Sequence, residues 1–264
     1  MSAPIRPGVI DDDRYDRSRR VSWLDMGAMS RARVLMVGAG ALGNEVAKDL
    51  VLSGFKNLTI VDMDHVVGSN LNRCMFFTEE HARTRAPKAD VVAQGVRALS
   101  PGAEPSAIVQ RIEEMGPAIF RDHDIVMGCL DNIAARLHVN SNSYYAGRIY
   151  VDGGMDGFLG KVMVSHPPEG ACLQCGMNRT HSKVASLRYS CTGKDVVFHE
   201  PRLAAEITTT SVISAVMVRE ALKVVSGRKD LLLANAFYYD GQRNISEEIE
   251  VSRDPNCPVH SQRV

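Results

Sequence analysis

Four polar residues downstream of a glycine-rich turn are the first candidates for chemistry in this sequence: Asp62, Asn70, Arg73 and Lys88. The turn spans residues 38–43 and follows an apolar run at 34–37. Backbone amides in such a turn, at the start of a helix, can bind phosphate groups. Fixed cations nearby suit an enzyme that breaks a phosphate chain, because negative charge develops on the bridging and leaving oxygens. These residues therefore predict a nucleotide site with phosphate-transfer chemistry.

The turn has the pattern G-x-G-x-x-G, and the residues expected to approach the nucleotide are Gly38, Gly40, Ala41, Leu42 and Gly43. A plain tight turn is the alternative interpretation. Asp62 lies 24 residues after Gly38, close to the spacing at which a carboxylate binds a ribose. This spacing leaves ATP and NAD as equal alternatives.

Asn70 and Arg73 come shortly after the predicted strand that ends near Asp62. The phosphates of a bound nucleotide should lie beyond that strand end. Arg73 offers a fork of donors for phosphate oxygens, and Lys88 offers a point charge. Taken singly, each of these residues would be an ordinary solvated surface residue. Their common position favours a triphosphate.

Asp131 follows another predicted strand, in the segment 129–132. A carboxylate beside a triphosphate can hold Mg²⁺. The alternative is that Asp131 caps the helix predicted to begin at Asn132. The two roles are compatible.

Two short knuckles, 82 residues apart, carry possible metal ligands: Cys172, Cys175, Cys257 and His260. Three thiolates and one imidazole suit a tetrahedral structural Zn²⁺. Such a site would fasten the end of the chain to the central domain. A redox pair is the alternative for the C-x-x-C half, but the second knuckle argues against it.

Cys191 is a candidate nucleophile in a polar segment, near Arg188 and Lys194. Neighbouring cations lower the pKa of a thiol and raise the thiolate fraction. An incidental loop thiol is the alternative. Cys74 and Cys129 lie in apolar runs and are expected in the core, although Cys74 adjoins an arginine and is a minor rival nucleophile.

The composition is that of an ordinary globular protein, 45% hydrophobic and 23% charged over 264 residues. Thirty-one basic side chains balance thirty-one acidic ones, so net charge favours neither nucleic acid nor a membrane surface as a partner. No apolar run approaches the roughly 20 residues that cross a bilayer, and residues 1–20 lack the apolar core of a secretory signal. We therefore expect a cytoplasmic protein.

Alternating strands and helices must position these residues. Strands are predicted at 33–37, 58–61, 106–111, 124–129, 149–152 and 161–165, and helices at 44–52, 88–99, 115–121, 132–146 and 208–225. This alternation predicts an α/β fold with a doubly wound, mostly parallel, Rossmann-like sheet. Ligands bind such sheets beyond the C-terminal ends of the strands. A long loop is expected at 176–206.

An antiparallel extension is expected near the C-terminus. Residues 236–239 and 245–251 predict a hairpin with a two-residue turn at Asp240-Gly241. For domain organisation, we expect an N-terminal arm at 1–30 and a single domain at 31–264. That domain would have a nucleotide-binding half at about 31–160 and a carrier and zinc half at about 161–264.

Together these motifs resemble the ThiF/MoeB family of ubiquitin-activating-enzyme-like adenylyltransferases, from about Arg14 to His260. The resemblance rests on the GAGALG turn, Val61-Asp62-x-Asp64, Ser69-Asn70-x-x-Arg73, Pro87-Lys88, Cys129-x-Asp131-Asn132 and the two knuckles. It implies that Gly40 and its neighbours approach the phosphates of ATP and that Asp62 binds the ribose. It also implies triphosphate contacts from Asn70, Arg73 and Lys88, and a role for Asp131 with Mg²⁺ at the reaction centre. Asp64 and Asn132 belong to the same nucleotide-site motifs.

The N-terminal sequence Arg14-Tyr15-Asp16-Arg17 resembles the family's Arg-Tyr-x-Arg. In that family the last arginine reaches into the ATP site of the partner subunit. The resemblance therefore implies that Arg17 acts in trans and that the protein is a homodimer, with the arm as a dimer contact.

The resemblance implies that the C-terminal carboxylate of a ubiquitin-like or sulfur-carrier protein, often ending in Gly-Gly, attacks the α-phosphate of ATP. The acyl-adenylate would then pass to Cys191 or directly to an acceptor. The unusual segment 199–201 makes a peptide or small-molecule carboxylate the main alternative substrate. An NAD-dependent oxidoreductase is a remote alternative, because it leaves Arg73, Lys88 and the knuckles unexplained. A non-catalytic scaffold subunit predicts missing phosphate-binding residues, and none is missing.

Overall fold

The structure is a computed structural model that describes residues 13–176 and 204–261. The strands in these residues are β1 (Arg33–Val37), β2 (Asn57–Val61), β3 (Ser106–Ile108), β4 (Ile125–Gly128), β5 (Ile149–Asp156), β6 (Leu159–Ser165), β7 (Ala236–Asp240) and β8 (Ile245–Ile249). The α-helices are α1 (Asp16–Arg19), α2 (Met26–Arg31), α3 (Ala41–Ser53), α4 (Glu79–Thr84), α5 (Lys88–Leu99), α6 (Ala118–Arg121), α7 (Ile133–Tyr145), α8 (Ile207–Val225) and α9 (Pro258–Ser261). Short 3₁₀ turns occur at Gly68–Asn70, Ile112–Glu114 and Lys229–Leu231.

The strands form one sheet in the order β3-β2-β1-β4-β5-β6-β7-β8. Strands β1 to β5 pair in parallel, whereas β6, β7 and β8 add to the edge of β5 in antiparallel pairs. The order 3-2-1-4-5 places the C-terminal ends of β1, β2 and β4 side by side. A doubly wound sheet binds its ligands beyond these C-terminal ends.

Both faces of the parallel strands are covered, which explains their continuous apolar runs. On one face Val34 and Met36 pack in a core with residues of α3, α5 and α8. On the other face Leu35 and Val37 pack with Phe120 of α6 and with residues of α7. The molecule is therefore a three-layer α/β structure, as the sequence predicts.

Most predicted elements are confirmed, and several have the expected bounds. Strand β1 and helix α5 begin and end at the predicted residues. Gly54 ends α3 in the left-handed conformation, with φ of 113°, because a residue without Cβ adopts that geometry most easily.

Several boundaries differ from the prediction. Strand β3 ends at Ile108 rather than at residue 111, and helix α3 begins at Ala41 rather than at Asn44. Helix α6 is limited to Ala118–Arg121 and follows a 3₁₀ turn. Strand β5 continues to Asp156 because its antiparallel partner β6 pairs with it along that whole length. The predicted two-residue turn at Asp240-Gly241 is wrong: Asp240 pairs with Ile245, so four residues connect the strands, and Asn244 takes the positive φ of 54°.

The described part of the predicted N-terminal arm packs on the domain. Met29 of α2 is fully buried, and the Tyr15 ring packs against Gly54 at the end of α3. The Arg14 guanidinium donates to the Leu99 carbonyl at 2.9 Å. Among the described helices, none is both long and apolar enough to span a bilayer.

Candidate nucleotide and metal sites

A cavity of about 1250 Å³ opens at the C-terminal ends of β1, β2 and β4. It brings together predicted residues that are far apart in sequence: Gly38, Gly40, Ala41, Leu42, Asp62, Asp64, Asn70, Arg73, Lys88, Asp131 and Asn132. Gly43 is the one predicted nucleotide-contacting residue that does not line it. The topology thus places one nucleotide-sized site where the sequence motifs converge.

The three glycines of the turn have different structural roles. Gly38 has φ of 100°, and a Cβ there would lie 2.4 Å from the Cys129 carbonyl oxygen. A Cβ on Gly43 would lie 2.1 Å from the Gly38 carbonyl oxygen. Gly38 and Gly43 therefore let the turn pack tightly against itself and β4. A Cβ on Gly40 would meet no atom within 4 Å, so Gly40 leaves space for a ligand at the N-terminus of α3.

Asp62 is fixed at the end of β2 by two backbone donors. Its carboxylate accepts the N–H of Ala39 at 2.6 Å and that of Asp64 at 2.7 Å. Burial raises the pKa of Asp62, and the nearby Lys88 ammonium and these two donors oppose the rise. The carboxylate is therefore oriented beside the glycine turn, where it can accept hydrogen bonds from a ribose.

Lys88 begins α5 and forms an ion pair with Asp64, with Nζ 2.8 Å from the carboxylate. The backbone N–H of Lys88 also donates to the Asp64 carbonyl at 2.9 Å. The Lys88 side chain is 12% exposed, whereas that of Asp64 is 55% exposed. Asp64 thus compensates the charge of a lysine that faces the cavity.

Asn70 and Arg73 lie on the segment that follows β2. Asn70 is buried, and its side-chain oxygen accepts the N–H of Val67 at 3.1 Å. Arg73 uses Nη1 to donate to the Ser69 carbonyl and to the Asn72 side chain. Among the described residues its Nε and Nη2 groups have no hydrogen-bond partner, so they retain donors for a phosphate.

The sequence left two roles open for Asp131, capping a helix and holding a cation, and the structure gives the first of them to Asn132. Helix α7 begins at Ile133, and the Asn132 side chain caps it by accepting the Ala135 N–H at 3.1 Å. The alternative in which Asp131 caps this helix is therefore wrong. Asp131 is exposed and lines the cavity, so its carboxylate can reach a bound cation.

Sequence reasoning missed Arg136, which lines the same cavity one turn into α7. Its guanidinium forms a two-pronged ion pair with the buried Asp152 carboxylate. The Tyr150 hydroxyl donates to that carboxylate at 2.6 Å. One signal in the sequence could have indicated this residue: a glycine inside a strand often marks the close approach of another group. Gly154 is such a glycine, since a Cβ there would lie 3.0 Å from the Arg136 guanidinium.

The two predicted knuckles meet in one cluster, with all four candidate ligand atoms within 4.8 Å of one another. Cys172 Sγ lies 3.8 Å from Cys257 Sγ and 4.0 Å from Cys175 Sγ, and Cys175 Sγ lies 3.7 Å from His260 Nδ1. Zn–S bonds of about 2.3 Å in a tetrahedron place sulfurs about 3.8 Å apart. The donor set and its spacing therefore fit a structural zinc ion.

Burial raises the pKa of Cys172, and it raises that of Cys257 to about 12. A bound dication would offset this effect, because metal ligation favours the thiolate. The His260 ring packs against Tyr144 with 4.8 Å between centroids. Arg253 Nε donates to His260 Nδ1 at 3.0 Å, so a metal ion bound at Nδ1 would displace this contact.

Of the remaining cysteines, Cys74 and Cys129 are buried core residues, as predicted. Burial raises the pKa of Cys74 to about 11 and raises that of Cys129 further, which leaves little thiolate for attack at neutral pH. Cys191 lies outside the described residues, as does the segment 199–201. Arg17 lies in α1, and its action in trans remains a prediction.

Comparison with solved structures supports the fold. The crystal structure titled E. coli MccB + ATP has a TM-score of 0.74 at 19% identity, covering 96% of this chain and 76% of that one. The structure titled E. coli MccB + AMPCPP + SeMet MccA has a TM-score of 0.76 at 18% identity, covering 96% and 75%. At these identities the likeness concerns the fold alone.

Sequence comparison gives relatives of two lengths. A sulfur carrier protein adenylyltransferase of Thermus thermophilus is 32% identical over 256 residues, covering 94% of this chain and 90% of that protein. A NEDD8-activating enzyme E1 catalytic subunit of Caenorhabditis elegans is 32% identical over 184 residues, and the match covers 62% of this chain and 42% of that protein. Residues 15–259 match the ThiF family. With that match over nearly its whole length, the chain belongs to the ThiF family.

Proposed function

We propose that this protein is an ATP-dependent adenylyltransferase that activates the C-terminal carboxylate of a ubiquitin-like or sulfur-carrier protein. One observation carries the proposal. A single cavity holds an open glycine turn, an oriented carboxylate at Asp62, two cations at Arg73 and Lys88, and a second carboxylate at Asp131. The sulfur carrier protein adenylyltransferase that matches 94% of the chain supports the same activity.

Each part of the cavity suits one part of ATP. The space at Gly40 and the N-terminus of α3 can take phosphates, because backbone N–H groups and the helix dipole favour anions there. Asp62 is positioned to accept hydrogen bonds from the ribose. Arg73 and Lys88 supply positive charge for the triphosphate. Asp131 would hold Mg²⁺, which neutralises phosphate charge when bound.

In the proposed reaction, a carboxylate oxygen of the carrier protein attacks the α-phosphorus of ATP. The bond between the α-phosphorus and the oxygen that bridges to the β-phosphate breaks, and pyrophosphate leaves. The products are an acyl-adenylate and pyrophosphate, and no proton is transferred in this step. Positioned cations at Arg73 and Lys88 lower the barrier, because they offset repulsion between the two anions and stabilise the leaving charge.

In this scheme Lys88 has two partners in turn: Asp64 before ATP binds, and a phosphate of ATP afterwards. Without a triphosphate, Asp64 compensates the ammonium at 2.8 Å. Because Asp64 is largely exposed, its charge is readily solvated when Lys88 turns to a phosphate. The pair holds the Lys88 ammonium beside the cavity until ATP arrives.

The remaining parts of the proposal complete the enzyme. A structural Zn²⁺ would be held by Cys172, Cys175, Cys257 and His260. The protein would act as a homodimer with Arg17 reaching the partner's site, residues 1–30 as the dimer contact, and residues 31–264 as one adenylation domain. Cys191 would lose its thiol proton and attack the acyl carbon of the acyl-adenylate, so that a thioester forms and AMP leaves.

Exchange of labelled pyrophosphate into ATP tests the activity directly. We expect exchange that requires Mg²⁺ and a carrier protein ending in Gly-Gly, and that is absent when the carrier lacks its last residue. Exchange with a short peptide or small carboxylate, but not with the carrier, would support the alternative substrate instead. A protein that NAD⁺ stabilises against heat, and that ATP·Mg²⁺ does not, would contradict adenylation altogether.

A further inference from the structure

The Cys/His cluster adjoins a fully buried amide on helix α7. Asn140 has no exposed surface, and its side-chain oxygen accepts the backbone N–H of Leu173 at 3.0 Å. Leu173 directly follows Cys172. One half of the amide therefore holds the backbone of the first knuckle.

The other half of the same amide has no such partner. Asn140 Nδ2 is buried and makes no hydrogen bond within residues 13–176 and 204–261. Buried polar groups are nearly always paired, so an orphaned donor at this depth requires an explanation. Because Oδ1 accepts the backbone N–H of the residue after Cys172, the amide lies beside the Cys172 thiol. Burial raises the pKa of that thiol, and the Asn140 side chain opposes the rise.

We propose that Asn140 is a positioning residue of the metal site, whose Nδ2 donates a hydrogen bond to the Cys172 thiolate once metal is bound. The inference rests on the metal site of the proposed function. A thiol is a weak acceptor, whereas a metal-bound thiolate carries negative charge that attracts an N–H donor. Outer-shell hydrogen bonds of this kind orient ligands and hold the metal.

The arrangement assigns two tasks to one side chain. Oδ1 fixes the knuckle backbone through Leu173, and Nδ2 stabilises the charged form of the ligand that precedes it. Because Asn140 sits on α7, four residues after Arg136 of the cavity, the helix that borders the nucleotide site also supports the metal site. A single substitution can separate the two tasks.

The test measures metal release from protein purified without a metal-binding tag. Zinc-loaded protein is mixed with a chromogenic chelator, and the release rate is compared for wild type, Asn140→Asp and Asn140→Ala. Asn140→Asp retains the shape and the acceptor for Leu173, but it removes the donor and places a carboxylate against thiolates. We expect release from Asn140→Asp to be about 10- to 100-fold faster than from wild type, and faster than from Asn140→Ala.

Asn142→Asp is the matched control. Asn142 also lies on α7, and its amide donates to the His138 carbonyl at 2.9 Å rather than to the cluster. Its release rate should equal that of wild type. Wild-type release from Asn140→Asp would overturn the proposal, because it would show that Asn140 only anchors Leu173.

If Asn140→Asp fails to fold, cobalt spectra decide the question. With Co²⁺ in the site, Asn140→Ala should shift the sulfur-to-cobalt charge-transfer bands, and Asn142→Ala should not. Unchanged bands in Asn140→Ala would overturn the proposal. Wild-type protein without one metal ion per chain would also overturn it, whereas pyrophosphate exchange would still report separately on adenylation.

Discussion

At the scale of single residues, Arg73 is a cation of the cavity that keeps side-chain donors for a ligand. Lys88 has a carboxylate partner in Asp64, whereas the described contacts of Arg73 engage only Nη1. We expect Arg73→Ala to slow pyrophosphate exchange by about 10²-fold or more, the loss typical of a transition-state donor. Exchange at a wild-type rate would remove Arg73 from the site.

Arg83→Ala is the control for that measurement. Arg83 is an exposed arginine on the nearby helix α4 and pairs with Glu80. Exposed pairs of this kind contribute little to stability, so the variant should retain wild-type exchange. Both variants should unfold near the wild-type temperature.

The buried carboxylate of Asp62 predicts a pH dependence. Burial raises its pKa above the ordinary value of 3.8, and the deprotonated form is the better acceptor for a ribose. ATP affinity should therefore fall as the pH falls through this raised pKa, at a higher pH than for an exposed aspartate. Titration calorimetry from neutral to acidic pH measures the effect.

ATP itself also takes up protons as the pH falls, and this affects binding to wild type and to Asp62→Asn equally. The difference in affinity between the two proteins therefore isolates the contribution of the Asp62 charge. The gap in affinity between wild type and Asp62→Asn should be present at neutral pH and close as the pH falls. A gap that stays constant across the whole range would show that the Asp62 charge is not used in binding.

At the scale of elements, the glycine turn between β1 and α3 separates folding from ligand binding. In Gly38→Ala the alanine would have a positive φ, and its Cβ would lie 2.4 Å from the Cys129 carbonyl oxygen. We therefore expect this substitution to lower the free energy of unfolding by about 1–3 kcal/mol. Gly40→Ala meets open space and should cost less than about 1 kcal/mol. The second variant should still weaken ATP binding about tenfold or more, because its methyl group occupies phosphate space.

Thermal unfolding and ATP titration of both variants check this contrast. Equal destabilisation by the two substitutions would contradict the division of roles. Gly40→Ala with wild-type ATP affinity would show that the phosphates lie elsewhere in the cavity.

At the scale of the whole molecule, the predicted trans role of Arg17 can be tested by complementation. In a homodimer, a chain with Arg17→Ala and a chain with Arg73→Ala together form one intact site. Mixing the two inactive proteins and allowing subunit exchange should restore roughly one quarter of wild-type exchange activity, since half of the dimers are mixed and each has one intact site. No recovery, with mixed dimers present, would place Arg17 in its own chain's site.

Local patterns in the sequence determined the elements and the candidate residues. A buried strand, a glycine turn and a helix leave contiguous signals, so β1, α5 and the glycine motif can be located without any long-range contact. That Asp62, Arg73 and Lys88 line one cavity was likewise predictable, because strand ends in a doubly wound sheet converge. The two knuckles were predictable from their short ligand spacing.

Only the tertiary structure decided how these residues are partnered. The pairs Lys88–Asp64, Arg136–Asp152 and Asn140–Leu173 join residues 16 to 33 positions apart in sequence, and no local pattern specifies such contacts. The closure of Cys172 and Cys175 against Cys257 and His260 likewise depends on where the sheet places the C-terminal segment. Hydrophobic periodicity fixes which face of an element is buried, but side-chain pairing depends on the register and packing of elements that the chain brings together from a distance.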